Sequence, residues 1–346
     1  MNVFDLVNPK EIATYWSTVG SNKIPYLGAT LFPPQKQLGI DLSWFKGSDG
    51  LPVELSPAAF DTETTIRNRI GVDKIETEMP FFKDGFLIKE RDRIEINKAM
   101  GAANAAYIMP IIQRIYADGA NLVNSADVTA ERMRMQLLST GLIGISANRQ
   151  AYNYDYKFKS SHKEILLTTA KWSDYVNSDP IEDIKRWQDT IEDDTGVRPT
   201  GGICTRKTWN YLLHNQKIKL DMNVTSGQNI ILTDAMLKTY LFDKLDINVA
   251  VYNKKFLTRA GVATLFFPDE TFTLIPDGNL GNTYYGTTPE ESDLMAGSNA
   301  SVEIVNTGVA ITTIKKTDPV NVLTKASMVA LPSFEAIDSV FIGTIA

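Results

Sequence analysis

Residues 60–97, FDTETTIRNRIGVDKIETEMPFFKDGFLIKERDRIEIN, constrain this chain more than any other stretch. Ile66, Ile70, Val72, Ile75, Phe86, Ile88, Ile94 and Ile96 favour extended backbone. They are interleaved with Arg67, Arg69, Asp73, Lys74, Glu76, Glu78, Lys89, Glu90, Arg91 and Asp92, which leaves too few apolar side chains to bury a face. Lys83-Asp84-Gly85 supplies a turn signal before the return run. An isolated two-stranded ribbon is marginal in water, so a long polar one is expected to dock on another molecule. The pattern points to a subunit of an assembly.

A chain of 346 residues predicts about two packed units. No segment carries the ~18 uncharged apolar residues of a membrane span. Asp5, Lys10 and Glu11 stand where a secretory signal would place its apolar region, so the chain is expected to stay in the cytoplasm where it is made. Cys204 is the single cysteine, which excludes an internal disulfide and a four-cysteine zinc site. The net charge is −6 with the two signs intermixed, whereas tight binding to a phosphate backbone needs clustered Lys and Arg.

The fold class expected is α+β. Residues 1–45 read as an irregular arm, because Pro9, Pro25, Pro33 and Pro34 leave no room for a long helix. A helix is predicted over 127–140, with Asp127 as its cap, Met133, Leu137 and Leu138 as its buried stripe and Gly141 at its left-handed end. A second begins at Asp179-Pro180-Ile181-Glu182 and ends at Gly196. Ile181, Ile184, Trp187 or Gln188, and Ile191 form its apolar stripe, leaving Asp183 and other charged residues to solvent or a partner. Shorter helices are expected over 205–215 and 233–244, and strands over 247–252, 262–267, 271–275, 309–314 and 339–345. Pro268-Asp269-Glu270 reads as a hairpin turn, and 277–301 as loop.

Candidate chemistry is sparse. Gly196-Val197-Arg198-Pro199-Thr200-Gly201 has P-loop glycine spacing, but Gly202 and Ile203 occupy the positions of the phosphate-binding Lys and Ser/Thr. His162 and His214 lie in no metal-ligand pattern, and His214 suits a helix end. Cys204 reads as a small buried residue, and the acidic pairs Asp193-Asp194 and Glu290-Glu291 as solvated. The five tryptophans are scattered, so each is assigned to packing. No catalytic residue, metal or cofactor is assigned.

Residues 52–82, PVELSPAAFDTETTIRNRIGVDKIETEMPFF, followed by IKERDRIEIN, resemble a segment of tailed-phage major capsid proteins of the E type. RMRMQLLSTG from Arg132 is similar to that family's long helix and its glycine exit, and WSDYVNSDP from Trp172 to its Asp-Pro helix entry. FFPDETFTLIPDGNLGNTYYGTTPEE from Phe266 and LPSFEAIDSVFIGTIA from Leu331 resemble its carboxyl-terminal motifs, in the same order.

The resemblance implies the HK97-type capsid fold: an arm over 1–45, an extended loop over 46–97, a peripheral domain with a spine helix over 98–160, and a mainly axial domain over 161–346 with return segments to the peripheral domain. It implies an icosahedral shell of hexamers and pentamers, localised in the virion and assembled in the host cytoplasm, that packages double-stranded DNA through weak contacts without sequence specificity. Expected partners are further copies of the chain, a separate scaffolding protein, a portal protein and a decoration protein. Inter-subunit contacts are expected from Arg67, Arg69, Asp73, Lys74, Glu76, Glu78, Lys89 and Arg91. An encapsulin-like compartment of the same fold, and a soluble hydrolase using the acidic pairs, are the competing readings.

Overall fold

The computed structural model describes residues 8–20, 26–46, 73–92, 94, 98, 105–147, 150–223, 230–294, 300–318 and 320–346. Two compact units emerge, each drawing on three separate stretches of chain.

The first unit comprises Met1–Leu42, Glu76–Arg134 and Asn282–Ser333. Its long strand Val320–Pro332 pairs antiparallel with Val309–Thr317, with Phe81–Ile88 and, through its last three residues, with Thr283–Tyr285. Ala300–Val305 continues the sheet beyond Val309–Thr317, and Pro34–Lys36 adds in parallel to Thr283–Tyr285. Most of Val320–Pro332 is buried on both faces. A strand covered on both sides lacks the polar alternation by which strands are recognised, so its sequence gives little warning of it.

The helix Ala105–Thr140 supplies residues to both units. It starts well before the expected position, and Asp127 lies inside it rather than at its cap. A cap residue stops a helix only when the residues before it gain nothing by continuing. Here Ala120, Leu122, Val123 and Ala126 are buried, and burial outweighs the local signal. Gly119 lies against Ile12, whose Cγ2 is 2.6 Å from where a Cβ would project. Met133, Leu137 and Leu138 are fully buried, and Gly141 ends the helix at φ +72° with its N–H donating to Leu137 O.

The arm departs from the irregular structure expected for 1–45. Pro9–Gly20 and Leu27–Leu31 are helical. Pro9 occupies the first helical position, where its missing N–H costs nothing, and Asn8 Oδ1 accepts from Lys10 N at 3.0 Å. Asp277 to Ser301 is likewise not all loop, because it contributes Thr283–Tyr285 and the first residues of Ala300–Val305.

The second unit comprises Ser43–Ile75, Met135–Gly281 and Phe334–Ala346. Its five-stranded sheet has the order Lys163–Ile165, Phe341–Thr344, Thr271–Ile275, Gly201–Cys204, Asn248–Val251. Trp172, Trp187, Trp209, Phe272 and Phe341 form its aromatic core, with the Trp172 and Trp187 rings stacked 5.8 Å apart. Tryptophans scattered along the chain thus converge in space. The helix Pro180–Thr195 starts as expected, with Asp179 accepting from Glu182 N, and Gly196 closes it in the left-handed region. Asp183, expected to face solvent or a partner, is instead buried and accepts from Trp172 Nε1 at 3.0 Å. The indole N–H needs a partner in the core, and a carboxylate at the helix N-terminus supplies one.

Thr205 and Thr233 cap Arg206–His214 and Asp234–Leu245. The expected hairpin at Pro268-Asp269-Glu270 is not formed. Ala263–Leu265 pairs back with Lys255–Leu257, while Thr271–Ile275 enters the main sheet between Gly201–Cys204 and Phe341–Thr344. All five residues of Thr271–Ile275 are buried there, more than any two-stranded ribbon could cover.

Candidate interaction surface

The ribbon singled out in the sequence begins at its base with Asp73–Glu78, which pairs with Asp41–Lys46. Ile75 and Thr77 are half-buried and alternate with exposed Glu76 and Glu78, the period-two pattern of a strand with one wet face. Asp73 and Lys74 open this strand. Arg67 and Arg69 lie outside the described residues.

The return leg corrects one reading. Phe81–Ile88 is a continuous strand that runs straight through Lys83-Asp84-Gly85, with Phe81 opposite Val329 and Ile88 opposite Val322. An eight-residue ladder outweighs a three-residue turn preference. Gly85 permits the close pairing, since a Cβ there would lie 2.9 Å from Thr324 O. This part of the ribbon is therefore held by its own chain. Among the described residues, no other strand pairs with Phe81–Ile88. Phe86 and Leu87 are 47 % and 42 % exposed on it, and Lys89 and Arg91 are exposed just beyond its end. Exposed apolar side chains beside charged ones invite another chain. Of the eight expected contact residues, Glu76, Glu78, Lys89 and Arg91 are thus exposed near the base of the ribbon.

A buried polar network secures the arm of the first unit. Glu131 and Arg134, one turn apart, are 0 % and 3 % exposed. Glu131 Oε1 accepts from Gly28 N at 3.0 Å, and Arg134 Nη1 lies 3.4 Å from Glu131 Oε2. Arg134 Nε donates to Thr283 Oγ1 at 2.8 Å, and that hydroxyl donates to Phe32 O at 3.0 Å. Gly28 suits this close approach, because a Cβ there would fall 2.5 Å from Glu131 Oε2 and displace the carboxylate. Sequence reasoning missed this site. Its only signal was two opposite charges on the side of a helix that also carries the buried Ala130 and Met133.

Of the groups considered for catalysis, His162 and Asp194 meet, and Glu290, expected in solvent, is instead buried beside Lys325. Cys204 is buried and its thiol is pushed up to about 12 by burial, so it carries little thiolate. His214 Nδ1 lies 2.7 Å from Asn210 O at its helix end, as expected for a terminal histidine. His162 is buried with Nε2 3.2 Å from Asp194 Oδ2, and burial holds its imidazole below the usual range, against the opposing pull of Asp194. Lys159 bonds the same Asp194 oxygen at 2.6 Å and holds that carboxyl below the usual carboxylate range. Among the described residues, no group of three or more His, Cys, Asp or Glu is arranged to hold a metal ion, and no helix is long and apolar enough to cross a membrane.

The family model of phage major capsid protein E matches residues 10–345. The chain belongs to this family.

This capsid protein is therefore a shell-forming subunit of a phage head, with a structural role and a place in the capsid of the virion. Solved structures agree on the fold. A phage-related protein from Bordetella bronchiseptica RB50 is 14 % identical, with 98 % of each chain covered and a TM-score of 0.57. A chain assigned as the capsid protein of a prophage of E. coli CFT073 is 16 % identical, with 98 % of this chain and 99 % of that one covered and a TM-score of 0.59. The capsid of cyanophage A-1(L) is 11 % identical over 94 % of each chain, with a TM-score of 0.51. At such identities the likeness is one of fold, the α+β HK97-type capsid fold. No curated protein matches the chain.

Proposed function

We propose that this capsid protein closes an icosahedral head around double-stranded DNA by laying its charged ribbon across adjoining copies. The first unit, with the arm and the long sheet, serves as the peripheral domain, and the second as the axial domain. Arg67, Arg69, Asp73, Lys74, Glu76, Glu78, Lys89 and Arg91 set register and partner choice across the contact, which is the main work of charges at an interface. The supporting observation is the exposure of Phe86 and Leu87 on Phe81–Ile88, beside exposed Lys89 and Arg91.

Assembly takes place in the host cytoplasm on a separate scaffolding protein, with a portal protein at the DNA entry and a decoration protein on the outside. The net charge of −6 suits a container, since a strongly basic wall would hold the genome where it enters. Each subunit has several neighbours, so contacts weak enough to correct during assembly still sum to a durable shell.

Charge reversal tests the ribbon. Arg67→Glu, Arg69→Glu and Lys74→Glu together leave the subunit folded by circular dichroism but abolish closed particles in sedimentation and electron microscopy. Particle yield equal to wild type from that variant removes the ribbon from the proposed role.

A further inference from the structure

Three tryptophans of the second unit gather in its core, but a second aromatic group forms on its surface. The loop after Trp172 leaves Tyr175 39 % and Val176 55 % exposed. The Tyr175 ring meets two rings of the helix Arg206–His214, its centroid 6.2 Å from that of Tyr211 at 53° and 5.7 Å from that of His214 at 45°. Lys207, Asn210, Tyr211 and His214 fall at i, i+3, i+4 and i+7, so they share one face of that helix. The loop is fixed by its own bonds. Asp174 accepts from the amides of Val176 and Asn177 at 3.1 Å each and from Asn177 Nδ2 at 2.8 Å, and Gln216 N donates to Tyr175 O at 2.8 Å. Tyr211 packs against the core beneath. Such a platform is ordered in advance, so little entropy is lost when a ligand lands on it.

The polar rim of the platform selects the ligand. Among the described residues, no bond occupies the Tyr175 hydroxyl, the Asn210 side-chain amide or His214 Nε2. His214 Nδ1 lies 2.7 Å from Asn210 O, a carbonyl that can only accept, so in the neutral ring Nε2 is an acceptor. The Tyr175 hydroxyl and the Asn210 amide can each both donate and accept. The nearby charges are already engaged: Glu270 accepts from Lys207 Nζ at 2.6 Å and from Tyr211 Oη at 3.5 Å, and Asp174 is occupied within its loop. Neither a phosphate nor a cationic head group gains a free opposite charge from these residues. A neutral polyol with one apolar face suits both the rings and the rim.

We infer that Tyr175, Tyr211 and His214 form a binding site for neutral hexose units, as a polysaccharide presents them. The C–H face of the pyranose ring packs on Tyr175, and its hydroxyls bond the Asn210 amide, the Tyr175 hydroxyl and His214 Nε2. The single site stands on the second unit alone. On the shell-forming reading every subunit repeats it, so a single-site Kd on the order of 1 mM adds up to firm attachment of a particle.

Saturation-transfer NMR on the unassembled full-length protein tests the site with maltohexaose, cellohexaose and mannohexaose, and with dextran sulfate and an oligothymidylate as charged controls. At least one neutral oligomer binds with a Kd on the order of 1 mM. Tyr175→Ala weakens it at least about tenfold, and His214→Phe, which keeps a ring but removes the acceptor, about two- to tenfold, with circular dichroism unchanged in both. Wild-type particles are retained on a column of the corresponding polysaccharide, and Tyr175→Ala particles pass through. Failure of all three neutral oligomers to bind below about 20 mM, binding unchanged in Tyr175→Ala, or tighter binding of either charged control overturns the inference. Passage of wild-type particles through the column although the free subunit binds overturns it too. Loss of closed particles in Tyr175→Ala assigns the face to a contact between copies and has the same consequence. A wild-type chain that binds the oligomer but never assembles upholds the site and overturns the shell-forming reading instead.

Discussion

Removing Arg134 tests most directly how the arm is held. In Arg134→Met, Glu131 keeps its bond from Gly28 N but loses the neighbouring guanidinium while remaining fully buried. Breaking a buried ion pair on one side costs about 3–5 kcal/mol, because the remaining carboxylate stays buried without its guanidinium. Thr283 Oγ1 loses a donor as well, though it still donates to Phe32 O. Against a typical folding free energy of about 5–15 kcal/mol this is a large fraction, and it falls on residues 26–36. Hydrogen exchange on the unassembled full-length protein reads that segment directly. An opening free energy lower by about 3 kcal/mol speeds amide exchange there more than about a hundredfold. Glu131→Leu with Arg134→Met removes both charges and is expected to cost less than the sum of the single changes, with a coupling of about 2–3 kcal/mol. Unchanged exchange in residues 26–36, together with a loss below about 1 kcal/mol, would refute the argument that this pair fastens the arm.

Other outcomes follow from the second unit and the sheet. Gly343→Ala places a Cβ about 2.3 Å from the Trp187 ring, which is locked in the aromatic core, and lowers stability by at least about 1–3 kcal/mol in denaturant unfolding; a change under about 0.5 kcal/mol contradicts the packing. His162 has its folded pKa depressed by burial, so its contribution is complete above the ordinary imidazole value of 6.5 and is lost as pH falls through that value toward the folded one. Thermal melts of wild type should lose stability over that window and His162→Gln should flatten the loss; the lowered Asp194 contributes separately, below the usual carboxylate value of 3.8. Gly85→Val pushes a side chain into Thr324 O and weakens the ladder of Phe81–Ile88, raising hydrogen exchange in that strand; protection equal to wild type argues against the observed register.

Local chemistry was legible in the sequence wherever one short segment decides the structure. Asp179-Pro180 and Gly196 mark both ends of a helix because capping groups and left-handed glycine act within a single turn. Thr271–Ile275 was equally readable as a strand. The family was carried by motifs whose order survives along the chain, and residues 10–345 match it. What the sequence could not rank was a local preference against a distant gain. Lys83-Asp84-Gly85 favours a turn by itself, yet Val320–Pro332 offers its backbone a full ladder. Asp127 suits a cap, yet the residues before it are buried.

By itself, then, the chain's sequence determined the α+β class, both ends of the helix Pro180–Thr195, the absence of an internal disulfide, and a charged ribbon with too few apolar side chains to bury a face. Only the tertiary structure decided that Glu131 and Arg134 lie inside, fastening an arm more than one hundred residues away in sequence, and that three tryptophans meet in one core. The reason is physical: capping and turn energies act between neighbours along the chain, whereas burial depends on which distant segments exclude water from a given side chain.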